Sequence, residues 1–553
     1  MVSSGAEIIA LSLKQLGVKH VFGLVGIPVV EIAEALIAHG IQFVAFRNEQ
    51  SAAYAASIYG YIKGRPGVLL VVGGPGVVHA LPGVENSRSN RFPLLVLAGS
   101  AETSHRGMGA FQQLDQISLV KAAGVKFAEQ PDDIDSIGRI LEQAYRTAFY
   151  GQAGATYVDF PANIIQAVPD SSFVFKGISE PKAAPRSQGD PDQIKETVEL
   201  LKNAKFPLLI VGKGVAYAKA EETVRQLQSK TKLAFIPTPM GKGVISDHSP
   251  ENLSAARSLA LKEADVVLIL GARLNWILHY GGSGKFNKEA KFIQVDNVGE
   301  DIRGEGLGVL GDLELVSQQL ITALDSWTSP AIPESIVSKR ATNESRALAT
   351  ETAVSDVLKY QTVYKAIRDT LAEVVPKSKR VVYVCEGANT MDISRTSFPL
   401  VEARTRLDAG TNATMGIGMG YAIAAKVAEP ESLVIGIEGD SAFGFSAMEI
   451  ETAVRTNLPM VIFVINNSGI YHGTEPSNDE SALPPTALGR EIPYHQLAQS
   501  LGAWGAESRT LESVIENTKK AIELNKVCVI NVIIELGKAR KIDFGWMAST
   551  KKQ

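Results

Sequence analysis

The sequence predicts an α/β protein with three doubly wound parallel-sheet domains in series, and three observations carry that expectation. The chain has 553 residues, more than one hydrophobic core supports, so two or three domains of roughly 150 to 200 residues are expected. Short apolar runs of strand length alternate with longer helical patterns along the chain, as in parallel sheets covered by helices. Two stretches interrupt the alternation: residues 168–192, rich in Pro, Ser and charge, and a polar, Lys/Glu-bearing stretch from 327 to 360. Both read as linkers.

The first domain, 1–167, opens on MVSSGAEIIALSLKQLGVKH, an amphipathic helix. HVFGLVG, IQFVAF, GVLLVVGG and FPLLVLAG follow as strands, with VVEIAEALIAHG and SAAYAASIYGYIKG as helices between them. In the second domain, 190–327, PLLIVGKG, LAFIPTPMG, ADVVLILGARLN and KFIQVD are strand candidates, and Gly311-Asp312 marks the end of the last strand. The third domain, 358–545, runs from the helix TVYKAIRDTLAEVV through the strands RVVYVCEG, SLVIGIEGD, MVIFVINN and VCVINVIIEL. No repeat at a fixed period is found.

Composition excludes several classes. Hydrophobic residues are 45%, charged residues 21%, and there are 49 glycines, the profile of a packed, loop-rich protein rather than a disordered one. A net charge of −4 gives no bulk attraction to nucleic acid or anionic membrane. Cys385 and Cys528 lie in separate apolar runs, so neither a disulfide framework nor a thiolate metal site is expected. The N-terminus has no basic segment or cleavage pattern of a secretory signal, and no window approaches the apolar length of a membrane span. The terminal Lys-Lys-Gln is not a Ser-Lys-Leu peroxisomal address. The expected location is intracellular, in peroxisome or cytoplasm.

The stretch 439–473, GDSAFGFSAMEIETAVRTNLPMVIFVINNSGIYHG, carries the chemistry. Two apolar runs end in small oxygen-bearing residues, Gly439-Asp440 and Asn466-Asn467. In parallel sheets ligands bind beyond the carboxyl ends of strands, where helix N-termini also present free N–H groups. If the two strands are neighbours, Asp440 and Asn467 converge, and with a nearby carbonyl they form a hard oxygen site suited to Mg²⁺ or Ca²⁺ holding a diphosphate. Gly439, Ser441 and Ala442 open the next helix, where backbone approaches phosphate closely. Either pair alone would be ordinary turn punctuation.

At this spacing the pair resembles the thiamin diphosphate (ThDP) binding motif. VGIPVVEIAEAL, FRNEQSAAYAASIYGYIKGRPGV, GARLNWILHYG, CEGANTMDISR, RLDAGTNATMGIGMGYAIAAK and GDSAFGFSAMEIETAVR extend the likeness along the chain. They resemble the CoA-dependent ThDP enzymes, 2-hydroxyacyl-CoA lyase of the fungal type and oxalyl-CoA decarboxylase. The resemblance implies the ThDP decarboxylase fold, with pyrimidine-binding, central and diphosphate-binding domains in order. It implies ThDP and Mg²⁺ as cofactors, ADP as a candidate ligand of the central domain, and a CoA thioester as substrate. It also implies a homodimer at least, with dimers pairing into a tetramer, and a place in fatty acid α-oxidation. Both activities release formyl-CoA. The decarboxylase frees CO₂, whereas the lyase frees an aldehyde and must take up a hydroxyl proton as the bond breaks. A catalytically silent homologue is the third reading.

Residue by residue, the resemblance assigns Glu49, at the start of the helix after IQFVAF, as the carboxyl that activates the cofactor. Such a group works from an apolar setting, although a lone Glu there would be a dipole-complementing cap. Asp440 and Asn467, with the Gly469 carbonyl, are the implied metal ligands. Ile27, Pro28, Asn389, Ala413, Met415 and Ile470 join Gly439, Ser441 and Ala442 around the cofactor. Met415 is the bulky residue propping it bent, and Ala413 offers its carbonyl. In MGAFQQLDQ, Phe111 and Gln112 stand where the decarboxylase tends to carry Tyr and Glu, which favours the lyase. His79 in GGPGVVHAL, Gln112 and Tyr471 are the remaining catalytic candidates, and His472 borders the substrate. Lys242, Arg404, Arg406 and the tail 537–553, with GKARKIDFGW, are candidates for CoA, and Lys213 and Arg273 for ADP.

Overall fold

The computed structural model describes residues 2–282, 284–303, 305–473 and 483–537. The first sheet holds β1 (His20–Gly23), β2 (Gln42–Ala45), β3 (Gly67–Val71), β4 (Leu94–Ser100), β5 (Ala128–Glu129) and β6 (Ala155–Pro161). The second holds β7 (Pro207–Val211), β8 (Ala234–Pro237), β9 (Val266–Leu270), β10 (Lys291–Asp296) and β11 (Leu307–Leu310). The third holds β12 (Val381–Glu386), β13 (Arg406–Asp408), β14 (Leu433–Gly439), β15 (Met460–Asn466), β16 (Trp504–Ser508) and β17 (Val527–Ile533). All pairings are parallel, in the orders β2-β1-β3-β4-β6-β5, β11-β10-β9-β7-β8 and β13-β12-β14-β15-β17-β16. The predicted α/β architecture is therefore the one found. Helices on both faces bury the central strands completely, as along Gly67–Val71 and Met460–Asn466, which is why those strands read as unbroken apolar runs.

The order of strands reverses between β1 and β3 and between β12 and β14, so each of these sheets has a crevice at the carboxyl ends of that pair. The segments leaving the four strands carry Ile27-Pro28, His79, Gly387 to Asn389, and Gly439-Asp440.

The first and third domains also pack on each other through helices made of small residues. Helix Glu49–Lys63 lies between Pro75–Asn90 and Gly418–Ala428. A Cβ at Gly83 would stand 2.2 Å from the Ala53 Cβ, and one at Gly420 would stand 2.7 Å from the Ser51 carbonyl oxygen. Asn86 completes the joint by donating to the Tyr421 hydroxyl at 2.8 Å.

Two expectations are corrected. The stretch 327–360 contains an 18-residue helix, Glu334–Glu351, with Ile336 its one buried residue. The linker 168–192 ends earlier than expected, since Asp190 caps a helix that begins at Pro191. No helix among the described residues is long and apolar enough to cross a membrane.

Candidate active site

Strands β14 and β15 are hydrogen-bonded neighbours, with Gly439 opposite Ile465. Their ends therefore meet. Asp440 is the first residue of helix Asp440–Ser446 and Asn467 directly follows β15, each 2% exposed. The Gly469 N–H donates to Asp440 Oδ2 and to Asn467 Oδ1, both at 3.2 Å, and Ser441 N–H donates to Asp440 Oδ1 at 2.9 Å. The Asn467 amide donates to the Tyr360 hydroxyl and the Tyr471 carbonyl, at 3.2 and 3.3 Å, which turns its oxygen toward Asp440. Burial pushes the Asp440 carboxyl up to about 7, against the pull of the Ser441, Gly469 and Ser468 amides. A buried carboxylate and an amide oxygen on one point, with no cationic side chain bonded to either among the described residues, fit a hard divalent cation.

Asn389 stands in the second residue of helix Ala388–Ser397, and its amide nitrogen is 2.8 Å from His472 Nδ1. Tyr471, in the left-handed region at φ 59°, sets its ring edge-on to His472 with centroids 3.8 Å apart. Ile470 is 43% exposed beside them. Ala413, also left-handed at φ 50°, and half-buried Met415 lie on the loop between β13 and helix Gly418–Ala428.

In the first domain Asn48 caps helix Glu49–Lys63 by accepting from Gln50 N–H at 2.8 Å. Glu49 thereby becomes its first residue, 7% exposed, and its Oε2 lies 3.2 Å from His79 Nδ1. His79 keeps 60% of its side chain exposed. Gln112 is left-handed at φ 56° and covers Gly74, where helix Pro75–Asn90 begins. Phe111 and Ile27 are 71% and 73% exposed. Within one chain and among the described residues, no hydrogen bond or ion pair joins the Glu49–His79 pair to the Asp440–Asn467 pair.

Comparison with known proteins agrees with this geometry. Three descriptions match in order: "Thiamine pyrophosphate enzyme, N-terminal TPP binding domain" over 3–119, the central domain over 194–320 and the C-terminal TPP binding domain over 386–532. A 2-hydroxyacyl-CoA lyase of Saccharomyces cerevisiae is 45% identical across 99% of both chains. The chain belongs to the thiamine pyrophosphate enzyme family. The 2-hydroxyacyl-CoA lyase 1 of Mus musculus is 41% identical over 98% of this chain and 96% of its own, and the oxalyl-CoA decarboxylase of Escherichia coli 36% over 97% and 95%.

In this thiamine pyrophosphate enzyme the basic residues expected to meet CoA are each paired with a carboxylate. Lys242 Nζ is 2.5 Å from Asp247 Oδ2, with both side chains buried. Arg404 pairs with Glu221 at 2.6 Å and donates to the Ala216 carbonyl. Arg406 is 1% exposed, inside the sheet, and its Nε donates to Asp408 at 3.2 Å. Each of the three cations expected to meet CoA therefore has a carboxylate partner within the chain, and Arg406 is the most deeply buried of them. Arg406→Ala should lower the unfolding midpoint, at a cost of about 3 kcal/mol for the lost buried pair with Asp408 and the lost bonds to the Met391 carbonyl and Ser394, and leave KM for a CoA thioester unchanged. Melting curves and steady-state kinetics on one preparation check both. The tail from 538 onward lies outside the described residues.

Lys213 and Arg273 line a cavity of about 460 Å³ between the domains, and both are also structural ties. Lys213 Nζ donates to Asn90 Oδ1 at 3.2 Å and lies over the Phe92 ring, and burial drives its ammonium well below the usual range. Arg273 donates to the Ser89 carbonyl and to Thr411 Oγ1, at 2.6 and 3.0 Å.

Sequence reasoning missed a pair of acids. Glu386, the last residue of β12, and Glu438, the last but one of β14, stand opposite each other, both 0% exposed. Burial raises Glu386 to about 7 even though the Gly416, Gly418 and Ile417 amides favour its anion. Glu438 is pushed up by burial and then by Glu386. The available signal was an acid closing an apolar run twice, in VVYVCEG and VIGIEGD.

Proposed function

We propose that this chain is a ThDP- and Mg²⁺-dependent carbon–carbon lyase that cleaves a 2-hydroxyacyl-CoA to formyl-CoA and an aldehyde. The observation that carries the reading is the meeting of Asp440 and Asn467 oxygens at the ends of β14 and β15, in a chain 45% identical to a 2-hydroxyacyl-CoA lyase. Asp440, Asn467 and the Gly469 carbonyl hold Mg²⁺. Gly439, Ser441 and Ala442 approach the diphosphate. When bound, the cofactor supplies a nucleophilic carbon and the electron sink for breaking the C1–C2 bond.

The protein's own groups manage the protons and the fit. Glu49 holds a proton against the pyrimidine ring nitrogen. His79, exposed and beside it, takes the hydroxyl proton as the bond breaks, with Gln112 and Tyr471 at the reacting centre. Residues 1–167 receive the pyrimidine and 358–545 the diphosphate, from two subunits of a homodimer. The exposed apolar side chains of Ile27, Met108, Phe111 and Phe445 support that arrangement. Phe111 and Gln112 favour the lyase over oxalyl-CoA decarboxylase.

The test is formyl-CoA release by the ThDP- and Mg²⁺-loaded protein offered oxalyl-CoA and a medium-chain 2-hydroxyacyl-CoA in parallel. Faster turnover of the hydroxyacyl thioester, with the matching aldehyde, is expected. Preference for oxalyl-CoA would make the chain a decarboxylase. No formyl-CoA from either would remove the reading.

A further inference from the structure

The loop that carries Ala413 and Met415 is gripped at both ends. At one end the Thr411 N–H donates to Asn90 Oδ1 at 2.8 Å, Trp276 Nε1 donates to the Thr411 carbonyl at 2.7 Å, and Arg273 holds the Thr411 hydroxyl. At the other end both oxygens of Glu386 accept main-chain bonds, Oε1 from Gly416 and Oε2 from Gly418 at 2.5 Å. Four residues, 412–415, span the two anchors. Within that short span Ala413 is already left-handed, so the placement of Met415 depends on where Gly416 is fixed.

Glu386 is a rigid anchor. It is the last residue of β12, which is paired on both sides, with β13 and β14. A Cβ added to Gly418 would stand 2.7 Å from Glu386 Oε2 and 2.5 Å from the Glu438 carboxyl carbon, so the helix start sits directly on the acids. Glu438 makes no hydrogen bond to the loop among the described residues.

We infer that Glu386 is a positioning residue that fixes the Met415 loop for the cofactor, through main-chain bonds on the C-terminal side of Met415 and without touching the cofactor itself. The inference rests on the ThDP reading above. A side chain with one acceptor oxygen cannot hold both amides, so loss of the second oxygen should free the loop while the strand and helix remain.

The experiment titrates ThDP with Mg²⁺ into wild-type and Glu386→Gln proteins by calorimetry, with melting curves of both without cofactor. The variant is expected to melt within about 4 °C of wild type. Its ThDP affinity should fall about ten- to a hundredfold, the range seen when an outer partner of a site residue is removed. At saturating cofactor kcat should fall with KM for the acyl-CoA unchanged, a split that a merely structural role would not give. Wild-type affinity in the variant overturns the inference alone. No heat from the wild-type protein instead overturns the ThDP reading beneath it. Should Glu386→Gln not fold, Glu386→Asp, which keeps the charge but withdraws it by one methylene, takes its place, and loss of the fold in both variants overturns the positioning role.

Discussion

Glu49→Gln should leave a folded protein whose formyl-CoA release falls by about 10²- to 10⁴-fold, the contribution typical of a positioned acid–base group. The amide is the same shape, and the helix start that Glu49 occupies is secured by the Asn48 cap, so the fold does not depend on the carboxyl. What the amide lacks is a proton it can share and return. Glu49 is 7% exposed and its one side-chain partner among the described residues is His79, at 3.2 Å, so no second acid stands ready to replace it. The same variant should bind ThDP with little change, because the diphosphate and metal are assigned to residues on the other sheet. Cofactor affinity by calorimetry and single-turnover formation of formyl-CoA separate the two effects. Normal turnover by Glu49→Gln would remove Glu49 from its assigned role, and loss of ThDP binding would make it a binding residue rather than an acid.

The fold was legible where local sequence and tertiary environment agree. MVIFVIN is buried on both faces and reads as a strand without help. Four strands went unread for physical reasons, the shortest, Ala128–Glu129, because two residues carry no period. Arg406–Asp408 is three residues long with two charges, and becomes a strand through pairing with Tyr383 to Cys385. Ala155–Pro161 is interrupted by Asp159 and closed by Pro161, and the Asp is tolerated because Ser100 and Gln116 donate to it. Trp504–Ser508 is an edge strand of mixed residues, paired with β17 alone.

Helix Glu334–Glu351 has no apolar face from which a period could be read. It is held to the second domain by polar contacts such as Asn343 to the Ala255 carbonyl and Ser335 to Glu263. The site divides in the same way. Asp440 and Asn467 follow from rules about strand ends, whereas the burial of Arg406 and Lys242 depends on carboxylates that the fold sets against them.

Asp440→Asn should weaken cofactor binding at least about a hundredfold and yet make the cofactor-free protein no less stable near pH 8. The two effects share one cause, the burial of a carboxylate that the proposed function makes a metal ligand. Burial raises its folded pKa from 3.8 to about 7. The protonated acid is therefore the form the cofactor-free fold prefers, and its contribution to stability is fully present below about pH 4 and lost as pH rises through 7. At pH 8 the charge costs on the order of 4 kcal/mol, from the rise between 3.8 and about 7. A neutral Asn avoids that cost and keeps one of the two amide donors, from Ser441 and Gly469, losing the other at about 1–3 kcal/mol. The balance favours the variant at pH 8 and turns against it below pH 4, where wild type is neutral as well. Binding runs the other way, because a metal ligand must be deprotonated. Wild-type affinity for Mg²⁺-ThDP should fall about tenfold per pH unit below 7, and the variant should lose at least about a hundredfold, beyond the cost of removing an outer partner. Melting curves at pH 4, 6 and 8, with and without Mg²⁺-ThDP, read both directions at once. A variant that still gains stability from the cofactor would show that Asp440 is not its metal ligand, and one that melts well below wild type at pH 8 would show that its carboxylate is anchored for the fold.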